Sequence, residues 1–169
     1  MKHGKKVLSA LLSAAMVMGL SVPVLADDID GKLVVLHTND MHGHYETTEE
    51  QIGIAGVAAL KDHYEGLGAD VILLDAGDFS QGTTLVNHEK GLKAAEYLVT
   101  AGYDAISLGN HEFDFGFEAL QDIAAVLKAG NVPILAANVL KKGTNDTYFG
   151  ASAILEKGGM KIGIFGLDT

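Results

Sequence analysis

From Leu33 to Phe165 the chain repeats one alternation: a compact apolar run, a polar loop, then apolar residues at helical spacing. Residues 33–38 predict a buried strand, followed by the polar loop 39–44. Beyond it Ile52, Ala55, Val57, Ala59, Leu60 and Tyr64 recur at roughly the helical period. Residues 71–74 predict a second strand, with a loop over 75–84. Leu92, Ala95, Leu98 and Val99 then mark one face of a helix that ends at Gly102. The third unit is a strand at 105–108, a loop at 109–116, and a stripe of Leu120, Ile123, Ala124 and Leu127 closed by Gly130. Residues 132–137 read as a fourth strand. Segments 151–156 and 161–165, on either side of Gly158-Gly159, read as a hairpin. Near-continuous apolar strands alternating with helices predict an α/β fold with a largely parallel sheet covered on both faces.

Composition narrows the functions open to such a fold. The chain has 169 residues, 48% of them hydrophobic and 20% charged, an ordinary globular profile for one domain. Its 12 basic residues are all Lys and face 22 acidic ones, for a formal charge of −10. That balance argues against a non-specific grip on nucleic acid, so no nucleic-acid partner is expected. Without Arg there is no bidentate fork for a carboxylate or phosphate, and an anionic ligand would call for a bound cation. The absence of Cys removes disulfides, thiolate metal sites and Cys nucleophiles.

The first residues form a different unit. Lys2, Lys5 and Lys6 precede the apolar and small-residue run 7–22, and Val24-Leu25-Ala26 places small residues at a cleavage point before Asp27 and Asp28. Residues 1–26 are therefore expected to be a signal peptide for export, too short to span a bilayer. Its removal would leave nine Lys against 22 acidic residues, a charge of −13, with no transmembrane span in the mature chain.

Chemistry-bearing residues gather in the loops after the first three strands, at the carboxyl edge where open α/β sheets bind ligands. Asp40 and His42 stand two apart, and on extended backbone positions i and i+2 point the same way. Asp78 follows the second strand within Asp75-Ala76-Gly77-Asp78, and Asn110 and His111 follow the third within Gly109-Asn110-His111-Glu112. Together these loops offer carboxylate, imidazole and amide donors suited to Zn, Mn, Mg or Fe. Singly, each has another explanation. Asp40 or Asp78 could cap a helix or form a turn, Asn110 could sit in a left-handed turn, and His111 could be a solvated loop histidine. For His37, within the first strand, a hydrogen-bonded structural role is expected. His63 and His88 belong to helix or turn surfaces. His44 adjoins the site and could support it from outside, and Glu112 reads as a structural part of its loop rather than a base.

Three segments carry a family resemblance when read in order: His37-Thr38-Asn39-Asp40-Met41-His42-Gly43-His44, Asp75-Ala76-Gly77-Asp78 and Gly109-Asn110-His111-Glu112-Phe113-Asp114. They resemble the calcineurin-like metallophosphoesterases, and within them the exported 5′-nucleotidase and UDP-sugar hydrolase branch. Residues 135–139 and 161–167 are similar to that branch too. The resemblance implies a layered sandwich of mixed, largely parallel sheets flanked by helices. It also implies that residues 27–169 are the N-terminal part of a metallophosphoesterase domain, truncated before later histidine loops and a separate C-terminal substrate-binding domain.

For the site it implies two divalent metal ions, with Asp40 and His42 on the first, Asp78 bridging both and Asn110 on the second. His111 would be the catalytic histidine, oriented and kept cationic by Asp114. The implied activity is hydrolysis of phosphoric esters of extracellular nucleotides, the nucleotide being the partner. A 2′,3′-cyclic-nucleotide phosphodiesterase or another exported hydrolase of the family, and a non-catalytic metal-binding surface module, are the competing readings.

Overall fold

The computed structural model describes residues 29–168. The expected signal peptide, 1–26, lies outside them. Four strands form a parallel sheet: β1 (Leu33–Thr38), β2 (Asp70–Asp75), β3 (Ala105–Ser107) and β4 (Ile134–Leu135), in spatial order 1-2-3-4. The connections carry α1 (Gly53–Gly66), a single short turn of helix α2 (Thr84–Asn87), α3 (Leu92–Thr100) and α4 (Gly116–Ala129). The hairpin β5 (Ser152–Lys157) and β6 (Met160–Phe165) is antiparallel and forms a second sheet. Gly158 and Gly159 both have positive φ (55° and 73°), the conformation a two-residue hairpin turn requires.

The two faces of the parallel sheet meet different partners. Leu73, Ile106 and Ile134 share one core with Val57 of α1, Ala95 and Leu98 of α3, and Leu120, Ile123 and Leu127 of α4. A strand order of 1-2-3-4 with right-handed crossovers puts the helices on that single side. On the opposite side Val35, Ile72 and Leu74 border a groove whose other wall is Ile162, Ile164 and Phe165 of the hairpin. The predicted sheet covered on both faces is thus a three-layer stack of helices, sheet and hairpin. The hairpin layer is thin: Val35 is 52% exposed, and Ile154 and Phe165 are each 70% exposed. Amide exchange by mass spectrometry should therefore find β5 and β6 opening well before β2, whose Val71, Ile72 and Leu73 are fully buried. Equal protection in both would contradict this ordering.

Three local expectations change. Strand β1 is not fully buried: it alternates half-buried and exposed residues, because it lies at the sheet edge with its outward face under that thin layer. The fourth strand shrinks from six residues to two. Val132 donates its N–H back to Leu127 of α4, while Ala136 and Ala137 donate to Gly150 and Gly166 rather than to the ladder. Helix α4 ends with Asn131, not Gly130, in the left-handed conformation (φ 61°). Gly130 is small for packing instead, since a Cβ there would fall 2.5 Å from the Val99 methyl groups.

Strand register brings the polar loops together. Thr38 pairs with Asp75, Asp75 with Ile106, and Ser107 with Leu135. The carboxyl ends of β1, β2 and β3 are level, and their loops leave the sheet side by side.

Candidate metal centre

These loops are knitted through their backbones. The Asp40 amide donates to the Gly77 carbonyl and the His42 amide to the Asp78 carbonyl, both at 2.9 Å. Asp40 (φ 50°), His42 (φ 46°) and Asp78 (φ 57°) all adopt left-handed backbone. For non-glycine residues this costs on the order of 1–3 kcal/mol each and persists where surrounding contacts over-determine it. The extended backbone assumed for Asp40 and His42 is therefore not what forms, because their amides are drawn to the neighbouring loop. Glycine permits the close approach of the second and third loops. A Cβ on Gly77 would lie 2.3 Å from the Gly109 nitrogen, and one on Gly109 would lie 2.4 Å from Asp78 Oδ1.

The outcome is a cluster of His42, Asp78 and His111, all half-buried, each offering a ligand atom within 4.8 Å of the others. The two imidazoles meet edge to face with centroids 5.0 Å apart. His42 Nδ1 stands 3.1 Å from the Gln81 carbonyl, which can only accept, so the proton sits on Nδ1 and Nε2 keeps a free lone pair. His111 Nδ1 lies 2.7 Å from Asp114 Oδ2. That hydrogen bond is the main reason its pKa is raised above the usual imidazole value, with the Asp114 charge acting the same way. One carboxylate and two imidazoles, one with its tautomer set from behind, suit a borderline divalent cation.

The remaining sequence candidates are placed as follows. Asp40 is exposed beside the cluster, its Oδ2 accepting from the Asn39 amide at 2.5 Å, and it is not within the same mutual radius as the three. Asn110 opens the short turn 110–113 with its side chain exposed. His37 is exposed on β1 and none of the described hydrogen bonds involves its ring, so the structural role expected of it is not what forms. His44 is exposed, with only its backbone tied to Met41. His63 meets Tyr64 of α1 edge to face, and His88 follows the end of α2. A groove of about 490 Å³ lined by Leu36, Ile52, Val57 and Leu60 reaches Asp40 but not His42, Asp78 or His111.

Beneath the cluster lies a polar network that sequence reasoning did not single out. Thr38 Oγ1 donates to Asp75 Oδ2 at 2.5 Å and lies 2.8 Å from the Tyr103 hydroxyl, while the Gly77 amide donates to Asp75 Oδ1 at 2.9 Å. Burial pushes the Asp75 carboxyl up to about 7, outweighing these hydrogen bonds. An acid whose folded pKa is raised binds more protons folded than unfolded. Its contribution is fully present below the unfolded value near 4 and is lost as pH rises through about 7. A shift of this size is worth on the order of 4 kcal/mol. Urea unfolding should show the wild type losing stability between pH 4.5 and 8 relative to Asp75→Asn. Parallel profiles for the two proteins would contradict the buried-carboxyl account.

Comparison with known proteins decides the family. The calcineurin-like phosphoesterase model matches residues 33–163. The chain belongs to the calcineurin-like phosphoesterase family. It is 40% identical over 177 residues to a 5′-nucleotidase of Diplobatis ommata, covering 95% of this chain and 29% of that protein. It is 35% identical over 181 residues to a 5′-nucleotidase of Vibrio cholerae, covering 100% of this chain and 32% of that one. The crystal structure of a 5′-nucleotidase precursor from Thermus thermophilus superposes with a TM-score of 0.68 at 33% identity, covering 81% of this chain and 28% of that chain. This calcineurin-like phosphoesterase chain thus spans about three tenths of the length of these relatives. Its α/β fold, with a parallel sheet flanked by helices, is the fold of its structural neighbours. No helix among its described residues is long and apolar enough to cross a membrane.

Proposed function

We propose that the protein carrying this chain is a two-metal phosphoric ester hydrolase that releases phosphate from nucleotides, as a 5′-nucleotidase does. The observation that supports this most is the meeting of His42, Asp78 and His111 at three adjacent strand ends, in a phosphoesterase whose relatives are named 5′-nucleotidases. In this reading Asp40 and His42 would hold one divalent cation, Asn110 would hold a second and Asp78 would serve both, the ions being Zn, Mn or similar. When bound, the pair supplies charge neutralisation on the phosphate and activation of the attacking water.

The chain's own residues do the rest. The Gln81 carbonyl accepts from His42 Nδ1, so that in the neutral ring Nε2 is the nitrogen left to bind a cation. Asp114 holds a proton on His111 Nδ1 and favours the imidazolium. Nε2 of His111 then carries the second proton toward the leaving oxygen. As water adds to phosphorus and the ester P–O bond breaks, that proton passes to the nucleoside oxygen, and His111 is left neutral. Residues 1–26 are read as an export signal, which would place the enzyme outside the cytoplasm. The acidic surface left after its removal fits a small nucleotide brought in by cations rather than a nucleic-acid strand.

The test is phosphate release by the intact protein from a nucleoside 5′-monophosphate, and ring opening of a 2′,3′-cyclic nucleotide to its monophosphate followed by chromatography, with Mn²⁺ or Zn²⁺ and with a chelator. Metal-dependent release from the 5′-monophosphate is expected. Turnover of the cyclic substrate alone would move the assignment to a phosphodiesterase. Metal binding without any hydrolysis would make this a non-catalytic metal-binding module.

A further inference from the structure

Glu112 is a fully buried carboxylate, 1% exposed, in the short turn that carries Asn110 and His111. Its two oxygens face donors from two loops. Oε1 accepts from the Phe79 amide (2.9 Å), the Ser80 amide (3.0 Å) and the Ser80 hydroxyl (2.9 Å). Oε2 accepts from the Asp78 amide (2.8 Å) and the Gly109 amide (2.7 Å). In return, Asp78 Oδ1 accepts the amide of His111 at 2.9 Å. Glu112 thus grips the backbone of Asp78, Asp78 grips the backbone of His111, and His111 is the neighbour of Glu112. The ring closes across residues that are 33 or 34 apart in sequence.

We propose that Glu112 is a positioning residue that sets the distance and orientation between Asp78 and His111, and through them the geometry of the metal centre. This rests on the reading of those two residues as site residues. Two arguments carry it. All five partners of Glu112 are donors, and an ionised carboxylate is the side chain that accepts everywhere and donates nowhere. Asp78 also holds an unfavourable left-handed backbone (φ 57°), and its amide is fixed by Oε2. Without that anchor the residue is free to relax toward ordinary backbone, swinging its carboxylate away from His42 and His111.

The experiment uses the intact protein and the isosteric variant Glu112→Gln, with Mn²⁺ as the probe. In any orientation a Gln amide turns an NH₂ group toward at least two N–H donors, which breaks the tie without changing volume. Mn²⁺ affinity, measured by calorimetry well below the melting temperature, should weaken by about 10–100-fold, the range typical of groups that orient metal ligands. For nucleotide hydrolysis at saturating Mn²⁺, kcat should fall more than KM rises. Leu98→Ala, which opens a cavity in the helix-side core, should lower the melting temperature while leaving Mn²⁺ affinity unchanged, so lost stability alone cannot mimic the result. If Glu112→Gln does not fold, Ser80→Ala withdraws one donor from Oε1 and should still weaken Mn²⁺ by about two- to fivefold, in keeping with one hydrogen bond.

Mn²⁺ affinity within twofold of wild type in Glu112→Gln, or unchanged in Ser80→Ala where the first variant fails to fold, would overturn the proposal and leave Glu112 as part of the core. Absence of Mn²⁺ binding by the unaltered protein would overturn the metal-centre reading, and this inference with it. The two failures are therefore distinguishable.

Discussion

On the proposed two-metal reading, Asp78→Asn in the intact protein should lower metal content from two ions toward one and reduce phosphate release by about 10³-fold or more, because several kcal/mol of transition-state charge stabilisation would leave with the ion. The substitution is chosen for what it keeps. An Asn side chain still offers an oxygen to the His111 amide, now accepted by Asp78 Oδ1 at 2.9 Å, so the third loop has no reason to move. The Asp78 amide likewise keeps its bond to Glu112. What disappears is the one negative charge in the cluster of His42, Asp78 and His111. Elemental analysis after dialysis, paired with turnover of a nucleoside 5′-monophosphate, reads both effects. Two ions retained with near-normal turnover would remove Asp78 from the bridging position. Two ions retained with turnover lost would assign it to the chemistry alone.

Much of this site is visible in the residue pattern, for a physical reason. Buried strands such as β2 must be apolar, so the first polar residues after them announce where the chain leaves the core. On that ground alone the first residue marked after the β2 run is Asp75, which is buried beneath the site, and Asp78 and the pair Asn110-His111 stand out only when the three loops are read together. The pattern does not show backbone direction. The spacing of Asp40 and His42 suits extended chain, yet both are left-handed, because their amides bond to carbonyls of the loop after β2. Nor does it show carbonyl partners. The Gln81 oxygen that sets the His42 tautomer has no side-chain signature. Thr38 and Asp75 lie 37 residues apart and meet only because the β1–β2 register sets them opposite each other. Helix placement escapes the pattern in the same way. Local periodicity reports that a helix has an apolar face, while the 1-2-3-4 strand order decides that the helices share one side of the sheet.

His111→Ala separates chemistry from ligation, and the geometry makes the question sharp. His111 stands close enough to His42 and Asp78 to be a third ligand, yet its Nδ1 is committed to Asp114 in the manner of an acid held ready. As a proton donor, its loss should cost about 10²–10⁴-fold in kcat for a nucleoside 5′-monophosphate while metal content stays near normal. The deficit should shrink for an aryl phosphate, whose leaving group departs without a proton. Asp114→Asn supplies the matching pH test. The hydrogen bond that His111 Nδ1 donates to Asp114 is what chiefly raises the His111 pKa, and the imidazolium is lost as pH rises through that value. Removing the carboxylate lowers the pKa, so the alkaline limb of the kcat profile should move to lower pH with the acid limb unchanged. Equal deficits on both substrates would take His111 out of the general-acid role and leave it stabilising charge. An ion lost in His111→Ala would make it a ligand, and the proton would then have to reach the leaving oxygen from another group.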